Sequence, residues 1–257
     1  MRATLFLLII LLSLQVKGQK IIAHRGASDL APENTVASAK LAWELGADAV
    51  ECDIYLSKDN RVMVIHDHNT KRTCSGKKNL IIAKTPSLLL RELDAGSWKD
   101  EKYSGEKIPF LSEIIETIPE GKTLVVEIKC GPEIIPALQR SIEKSGKGDR
   151  LVFISFGWDT ILETHKTFPE NKCYWLSATK SCLKKKMKGL ADEGLAGVNL
   201  KYSIIDKEVA TLAKSLNLEL LTWTVDDPQE AKRLTNLGVV GITTNKPGWM
   251  RKELDLF

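Results

Sequence analysis

Ile21-Ile22-Ala23-His24-Arg25-Gly26, Asp48-Ala49-Val50-Glu51-Cys52-Asp53-Ile54 and Arg61-Val62-Met63-Val64-Ile65-His66-Asp67 are three short apolar runs within one stretch of the chain. Each carries, or ends on, side chains able to do acid, base or metal chemistry. A strand repeats every two residues, so Glu51 and Asp53 face one way and Cys52 the other. Taken singly, a strand carboxylate is usually solvated and a histidine after a strand is usually structural. Taken together they point to a site, because two inward carboxylates about 4 Å apart repel by ~4 kcal/mol at an effective dielectric of 20. Positive charge has to sit between them, from Arg25 and Lys129 as ion pairs or, better, from a divalent cation.

Outward from this stretch, apolar runs alternate with helical patterns, which favours a parallel sheet covered by helices. Further strands are expected near Thr123 to Ile128, Arg150 to Ser155, Lys172 to Leu176, Gly194 to Leu200, Leu218 to Val225 and Val239 to Thr243. Helices are expected around Thr35 to Leu45, Leu111 to Ile118, Glu133 to Lys144, Trp158 to Thr167, Lys180 to Ala191, Lys207 to Leu216 and Pro228 to Leu237. With the hairpin-like run Arg61 to Ile65 set aside, eight strands remain, the number of an α/β (β/α)8 TIM barrel. From about Asn69 to Lys107 the alternation lapses for longer than an ordinary βα loop. That segment is expected to be an insertion after the second βα region. Its Leu80-Ile81-Ile82, Leu88-Leu89-Leu90 and Trp98 need surface to bury, and the barrel mouth is the nearest.

Residues 1–19 read as a signal peptide: Arg2 supplies the positive start, Leu5 to Leu14 form an apolar core too short to span a bilayer comfortably, and small Gly18 precedes the expected cleavage. The expected protein is exported, periplasmic or secreted, with no stable membrane insertion after processing. Residues 20–257 suit one barrel domain. Apolar residues at 43% and charged residues at 27% are ordinary for a soluble enzyme, and a net charge of +4 gives no support to nucleic-acid binding. The run Lys184-Lys185-Lys186 with Lys188 reads as a solvated helix face. Five cysteines leave an odd thiol. Cys52 and Cys130 are expected to pack between strand and helix, and Cys74, Cys173 and Cys182 are candidates for one disulfide in an oxidising compartment. The absence of a Cys-x-x-Cys or His/Cys cluster leaves zinc without support.

The motifs His24-Arg25-Gly26, Pro32-Glu33-Asn34-Thr35, Gly46-Ala47-Asp48, Glu51-x-Asp53, Asp59 and His66-Asp67 together resemble the N-terminal signature of the glycerophosphodiester phosphodiesterases. The likeness continues through Glu127-Ile128-Lys129, Trp223-Thr224-Val225 and Gly238 to Thr243. Two departures stand out: Asn60 where a Gly is usual, and Asn245 where members often carry Asp, a change expected at a contact of the barrel mouth. The resemblance implies the same barrel, with Glu51, Asp53 and Glu127 holding one divalent cation. Oxygen ligands suit Ca²⁺ or Mg²⁺.

It further implies that His24 and His66 are the catalytic acid and base, with Arg25, Lys129 and Trp223 binding the substrate. The expected substrate is a small-molecule glycerophosphodiester, hydrolysed to glycerol 3-phosphate and an alcohol. His68 is expected beside the site and His165 on an exposed helix. Two other classes stay open: a phospholipase D-like or cyclising phosphodiester lyase, and a non-catalytic ligand-binding relative.

Overall fold

The structure is a computed structural model that describes residues 19–76 and 79–256, so the expected signal peptide lies outside the described residues apart from Gln19. Strand β1 (Lys20–Ala23) leads through the His24 turn to helix α1 (Val36–Glu44) and strand β2 (Ala49–Leu56). Strand β3 (Val62–Val64) folds back antiparallel on β2, with Ile54 opposite Val64, so the run set aside in the sequence is indeed no barrel strand. At the β2–β3 turn Asn60 takes φ +58°, a left-handed conformation that asparagine tolerates, so the missing glycine costs the hairpin little.

The chain then alternates regularly through β4 (Thr123–Ile128), β5 (Leu151–Ser155), β6 (Cys173–Ser177), β7 (Gly197–Lys201), β8 (Glu219–Trp223) and β9 (Val239–Thr244). β1 pairs in parallel with both β2 and β9, which closes the eight-stranded parallel barrel. The helices packed outside include α3 (Leu111–Glu116), α4 (Ile135–Glu143), α5 (Trp158–Thr167), α6 (Leu183–Asp192), α7 (Lys207–Ser215) and α8 (Pro228–Asn236). Capping starts several of them where the sequence places a short polar residue. Thr35 accepts from the Ser38 N–H, Asp206 from that of Val209, and Asp227 precedes a proline at the first helical position. The sequence reading missed the C-terminal helix α9 (Pro247–Glu253). Arg251 on that helix donates to Asp48, which also accepts from the Ile21 N–H and so ties the last helix to the first two strands.

Alternation along each strand sorts two apolar layers. Val50, Cys52, Leu124, Val126, Phe153, Cys173, Val198 and Leu200 point outward and pack with the helices. Ile22, Ala49, Val125, Ile154, Tyr174, Leu176 and Leu221 fill the barrel interior. Burying each such large side chain is worth about 1.5–3 kcal/mol. Cys52 and Cys130 lie against the outer layer as expected. All five cysteines are free, and the expected disulfide does not form: Cys173 sits in β6, Cys74 in the insertion and Cys182 at the exposed start of α6.

The insertion differs from expectation too. It builds a small core of its own, in which Cys74, Ile82, Leu90, Ala95 and Ile108 enclose Met63 and Ile65. The short helix α2 (Ser87–Leu90) buries Leu90 but leaves Leu88 72% exposed, so the Leu88-Leu89-Leu90 run is not a single buried patch. Asp59 holds this helix to the β2–β3 turn by accepting from the backbone N–H and hydroxyl of Ser87. Among the described residues no helix is long and apolar enough to cross a membrane.

Candidate active site

In a parallel barrel the C-terminal strand ends open on one face, and a single pocket there is lined by His24, Arg25, Glu51, His66, Glu127, Lys129 and Trp223. Asp53 lies just beneath, 1% exposed. All eight residues singled out from the sequence are thus brought to one end of the barrel. Strand register does much of this: β2 and β4 pair so that Asp53 is level with Glu127, both pointing inward.

The turn after β1 is shaped for the site. Arg25 has φ +55°, an unfavourable conformation for an arginine, and its N–H donates to Glu51 Oε2 at 2.9 Å while its carbonyl accepts from the Asn34 N–H and the Ser38 hydroxyl. Gly26 follows at φ +83°, where a Cβ would lie 2.3 Å from Ser38 Oγ, so only glycine fits. Asn34 clamps Asp53 from below: its Nδ2 donates to Asp53 Oδ2 at 2.8 Å, and its Oδ1 accepts from the Asp53 N–H. The sequence reading had Asn34 in a motif but gave it no role.

Glu51, Asp53 and Glu127 each offer an oxygen within 4.8 Å of the others. Burial pushes the Glu51 carboxyl well above the usual range, and the neighbouring Asp53 and Glu127 charges push it further. Glu127 is raised to about 7 by burial and by Asp53. For Asp53 burial acts upward as well, but Arg25 and Lys129 outweigh it and hold the group below the usual range. Arg25 Nε lies 3.2 Å from Asp53 Oδ2, and Lys129 Nζ lies 2.8 Å from Glu127 Oε1 and 3.5 Å from Asp53 Oδ1. Two cations therefore face three carboxylates, and buried Glu51 Oε1 has no hydrogen-bond partner among the described residues. This hard-oxygen cluster fits a divalent cation such as Ca²⁺ or Mg²⁺.

The two histidines are held alike but by chemically different groups. His24 Nδ1 is 2.7 Å from Asn245 Oδ1, and His66 Nδ1 is 2.7 Å from Asp67 Oδ1. The Asn245 amide cannot turn over without loss. Its Nδ2 donates to Asp226 Oδ2 at 2.6 Å, and its Oδ1 also accepts from the Ser28 hydroxyl. Oδ1 thus faces His24 as an acceptor, Nδ1 carries the ring proton, and Nε2 keeps its lone pair. Burial, seconded by the Arg25 charge, lowers the His24 pKa to about 4. On the other side Asp67, hydrogen-bonded by Arg72 and His66, is held down at about 2. Arg72 and Arg25 share Glu33, so the chain Asp67–Arg72–Glu33–Arg25 links the two histidine turns. Asp226, Arg72 and Glu33 had no assigned role from the sequence, and only their tertiary neighbours reveal one. His68 is exposed and bonds Asn69, away from the pocket, and His165 is half-buried on α5, less open than expected.

The other half of the pocket is apolar. Ile154, Phe156, Leu176 and Trp223 line it with Asn199. Trp223 Nε1 donates to the Asn199 carbonyl, and its ring meets Phe156 edge-on at 5.6 Å.

A parallel barrel with this acidic, cationic and imidazole mouth has the groups for metal-assisted acid–base chemistry on an anionic small molecule. Comparison with known proteins narrows it. The model of the glycerophosphoryl diester phosphodiesterase family matches residues 24–249. A glycerophosphodiester phosphodiesterase of Caldanaerobacter subterraneus subsp. tengcongensis is 34% identical over 242 residues, covering 88% of this chain and 94% of that protein. The solved structure of a phosphodiesterase from Oleispira antarctica, in complex with the product sn-glycerol-3-phosphate, superposes with a TM-score of 0.85 at 32% identity, covering 92% of this chain and 96% of that one. The glycerophosphodiester phosphodiesterase of Thermotoga maritima gives 0.75 at 25% identity, covering 91% and 98%. The chain belongs to the glycerophosphoryl diester phosphodiesterase family and is a phosphoric diester hydrolase.

Proposed function

We propose that this chain is an exported, metal-dependent enzyme that hydrolyses glycerophosphodiesters to glycerol 3-phosphate and an alcohol, with His24 as base and His66 as acid. The observation that carries the reading is the convergence of three carboxylates, two cations and two imidazoles in one pocket. Pure binding needs no such set.

Glu51, Asp53 and Glu127 would hold the cation, which when bound neutralises charge on the phosphoryl oxygens. Arg25 and Lys129 stabilise the anionic transition state from either side in a partly closed site. His24, neutral and with its Nε2 lone pair free, takes the proton from the attacking oxygen. His66 gives a proton to the departing alkoxide. The asymmetry supports this order, because an imidazolium at His66 has the Asp67 carboxylate in contact, whereas His24 is hydrogen-bonded by an amide, and burial with the repelling Arg25 outweighs the more weakly acting charges of Asp53 and Glu33. The water hydroxyl bonds to phosphorus as the P–O bond to the alcohol breaks; the water proton goes to His24, the alcohol takes its proton from His66, and exchange with solvent restores both rings. The apolar segment Leu5 to Leu14 supports export.

The test is to incubate the purified protein with a panel of glycerophosphodiesters, with and without Ca²⁺ or Mg²⁺, and to follow products by phosphorus NMR. Glycerol 3-phosphate formed only with metal is expected. A cyclic phosphate end product would make the enzyme a lyase, and full turnover in excess chelator would remove the metal from the mechanism. Recovery of a chain starting near residue 20 outside the cytoplasm checks export.

A further inference from the structure

Asn199 sits in the middle of β7, where Val198 and Leu200 on either side point outward into the helix-facing core and Asn199 alone points into the barrel mouth. The strand register sets it level with Leu176 on one side and Leu221 on the other, both apolar and inward. It is 1% exposed, yet its Oδ1 has no hydrogen-bond partner among the described residues. Burying an amide in an apolar row without a partner destabilises a fold, and a leucine would pack there without that penalty. Its backbone carbonyl meanwhile anchors the Trp223 indole, which Phe156 props from the side. The result is a subsite with aliphatic and aromatic walls and one amide, set opposite the charged half of the pocket, with Thr224 and Thr243 completing the lining toward the β1 side.

From this geometry we infer that Asn199 is a specificity-determining residue that hydrogen-bonds a hydroxyl of the glycerol moiety. A three-carbon polyol matches both features, since its C–H faces lie against Trp223 and Leu176 while a hydroxyl donates to Oδ1. An Asn amide can also donate back from Nδ2, so adjacent hydroxyls suit it better than one. A choline-like cation would gain nothing from the amide that a carboxylate would not supply better, so this subsite reads the glycerol and leaves the departing alcohol to the open side. The inference rests on the hydrolase reading of the pocket and adds which part of the substrate lies where.

The test compares three diesters that share a leaving ethanol: ethyl glycerol phosphate, ethyl 3-hydroxypropyl phosphate, which lacks the central hydroxyl, and ethyl propyl phosphate. The wild type should prefer the first over the last by about 10- to 100-fold in kcat/KM, the usual scale for leaving a buried polar group unpaired. In Asn199→Leu the ratio should fall to within about 3-fold, and Asn199→Asp, which keeps the acceptor, should retain part of it. The thermal midpoint of Asn199→Leu should equal or exceed that of the wild type, as expected when an unpartnered amide is removed. A selectivity ratio unchanged in Asn199→Leu overturns the assignment, as does an equal fall on all three substrates, which would mark a general structural role. Should the wild type turn over none of the diesters, the hydrolase reading fails by itself. Calorimetric titration with glycerol 3-phosphate and 3-hydroxypropyl phosphate then decides the subsite: tighter binding of the former that disappears in Asn199→Leu supports it, and equal binding overturns it.

Discussion

The two halves of the barrel mouth are built on opposite principles. From β1 to β4 every strand end carries ionisable groups that partner one another closely, Arg25 with Asp53 and Glu33, Lys129 with Glu127 and Asp53, Arg72 with Glu33 and Asp67. From β5 to β8 the lining is mainly Ile154, Phe156, Leu176 and Trp223, with the Asn199 amide and Thr224. In the proposed mechanism the first half would concentrate field where a phosphodiester develops negative charge, and the second would offer shape. Rate should therefore depend on the first half and substrate choice on the second.

The largest effect should come from the histidines. His24→Ala and His66→Ala should each lower turnover by at least ~100-fold, and if the two act in one concerted proton relay the double variant should be little worse than the weaker single. A diester with a very acidic leaving alcohol should rescue the His66 variant and not the His24 one. Rescue of His24→Ala alone would exchange the two roles.

Next comes Glu51→Gln. The carboxyl is already pushed strongly toward its neutral form by burial, so the neutral isostere should keep or raise the thermal midpoint of the metal-free protein while calorimetry shows metal binding lost. A large fall in midpoint would mean that Glu51 is chiefly structural.

Asn245→Asp should act on the pH profile instead of the maximal rate. A base works when neutral, and burial sets His24 at about 4, so the acidic limb of kcat/KM should lie well below the ordinary histidine range. A carboxylate on Nδ1 favours imidazolium and should shift that limb upward by about 1 to 3 pH units. The sign follows for stability too. A histidine whose folded pKa is lowered loses stabilisation as pH falls from about 6.5 toward 4, and the substitution should reduce that loss. An unmoved limb would disconnect His24 from the base role.

The smallest effect belongs to the apolar half. Phe156, 45% exposed, props Trp223 edge-on, and such aromatic pairs are worth about 0.5–1.5 kcal/mol. Phe156→Ala should raise KM by about 2- to 10-fold with little change in kcat. A kcat loss of the histidine class would break the division between the halves.

Of this design the sequence by itself determined the barrel and the charged half of its mouth. Two-residue alternation put Glu51 and Asp53 on one face, and apolar runs spaced by helical patterns counted eight strands and excluded Val62–Val64. Those signals are local, set by backbone periods that a neighbouring segment does not alter. What only the tertiary structure decided is which groups meet across the barrel. Asn245 reaches His24 from 221 residues away, Asp226 fixes the face that Asn245 shows, and Arg72 joins Asp67 to Glu33. The same holds for the insertion, whose leucines were expected on the barrel mouth and instead enclose Met63 and Ile65 or stay exposed, and for the cysteines, whose spacing suggested a bridge that their separate layers do not make. Asn199 is the sharpest case. In the sequence it is one polar residue in a strand, and its meaning comes from the apolar register neighbours Leu176 and Leu221 and from an Oδ1 without a partner among the described residues.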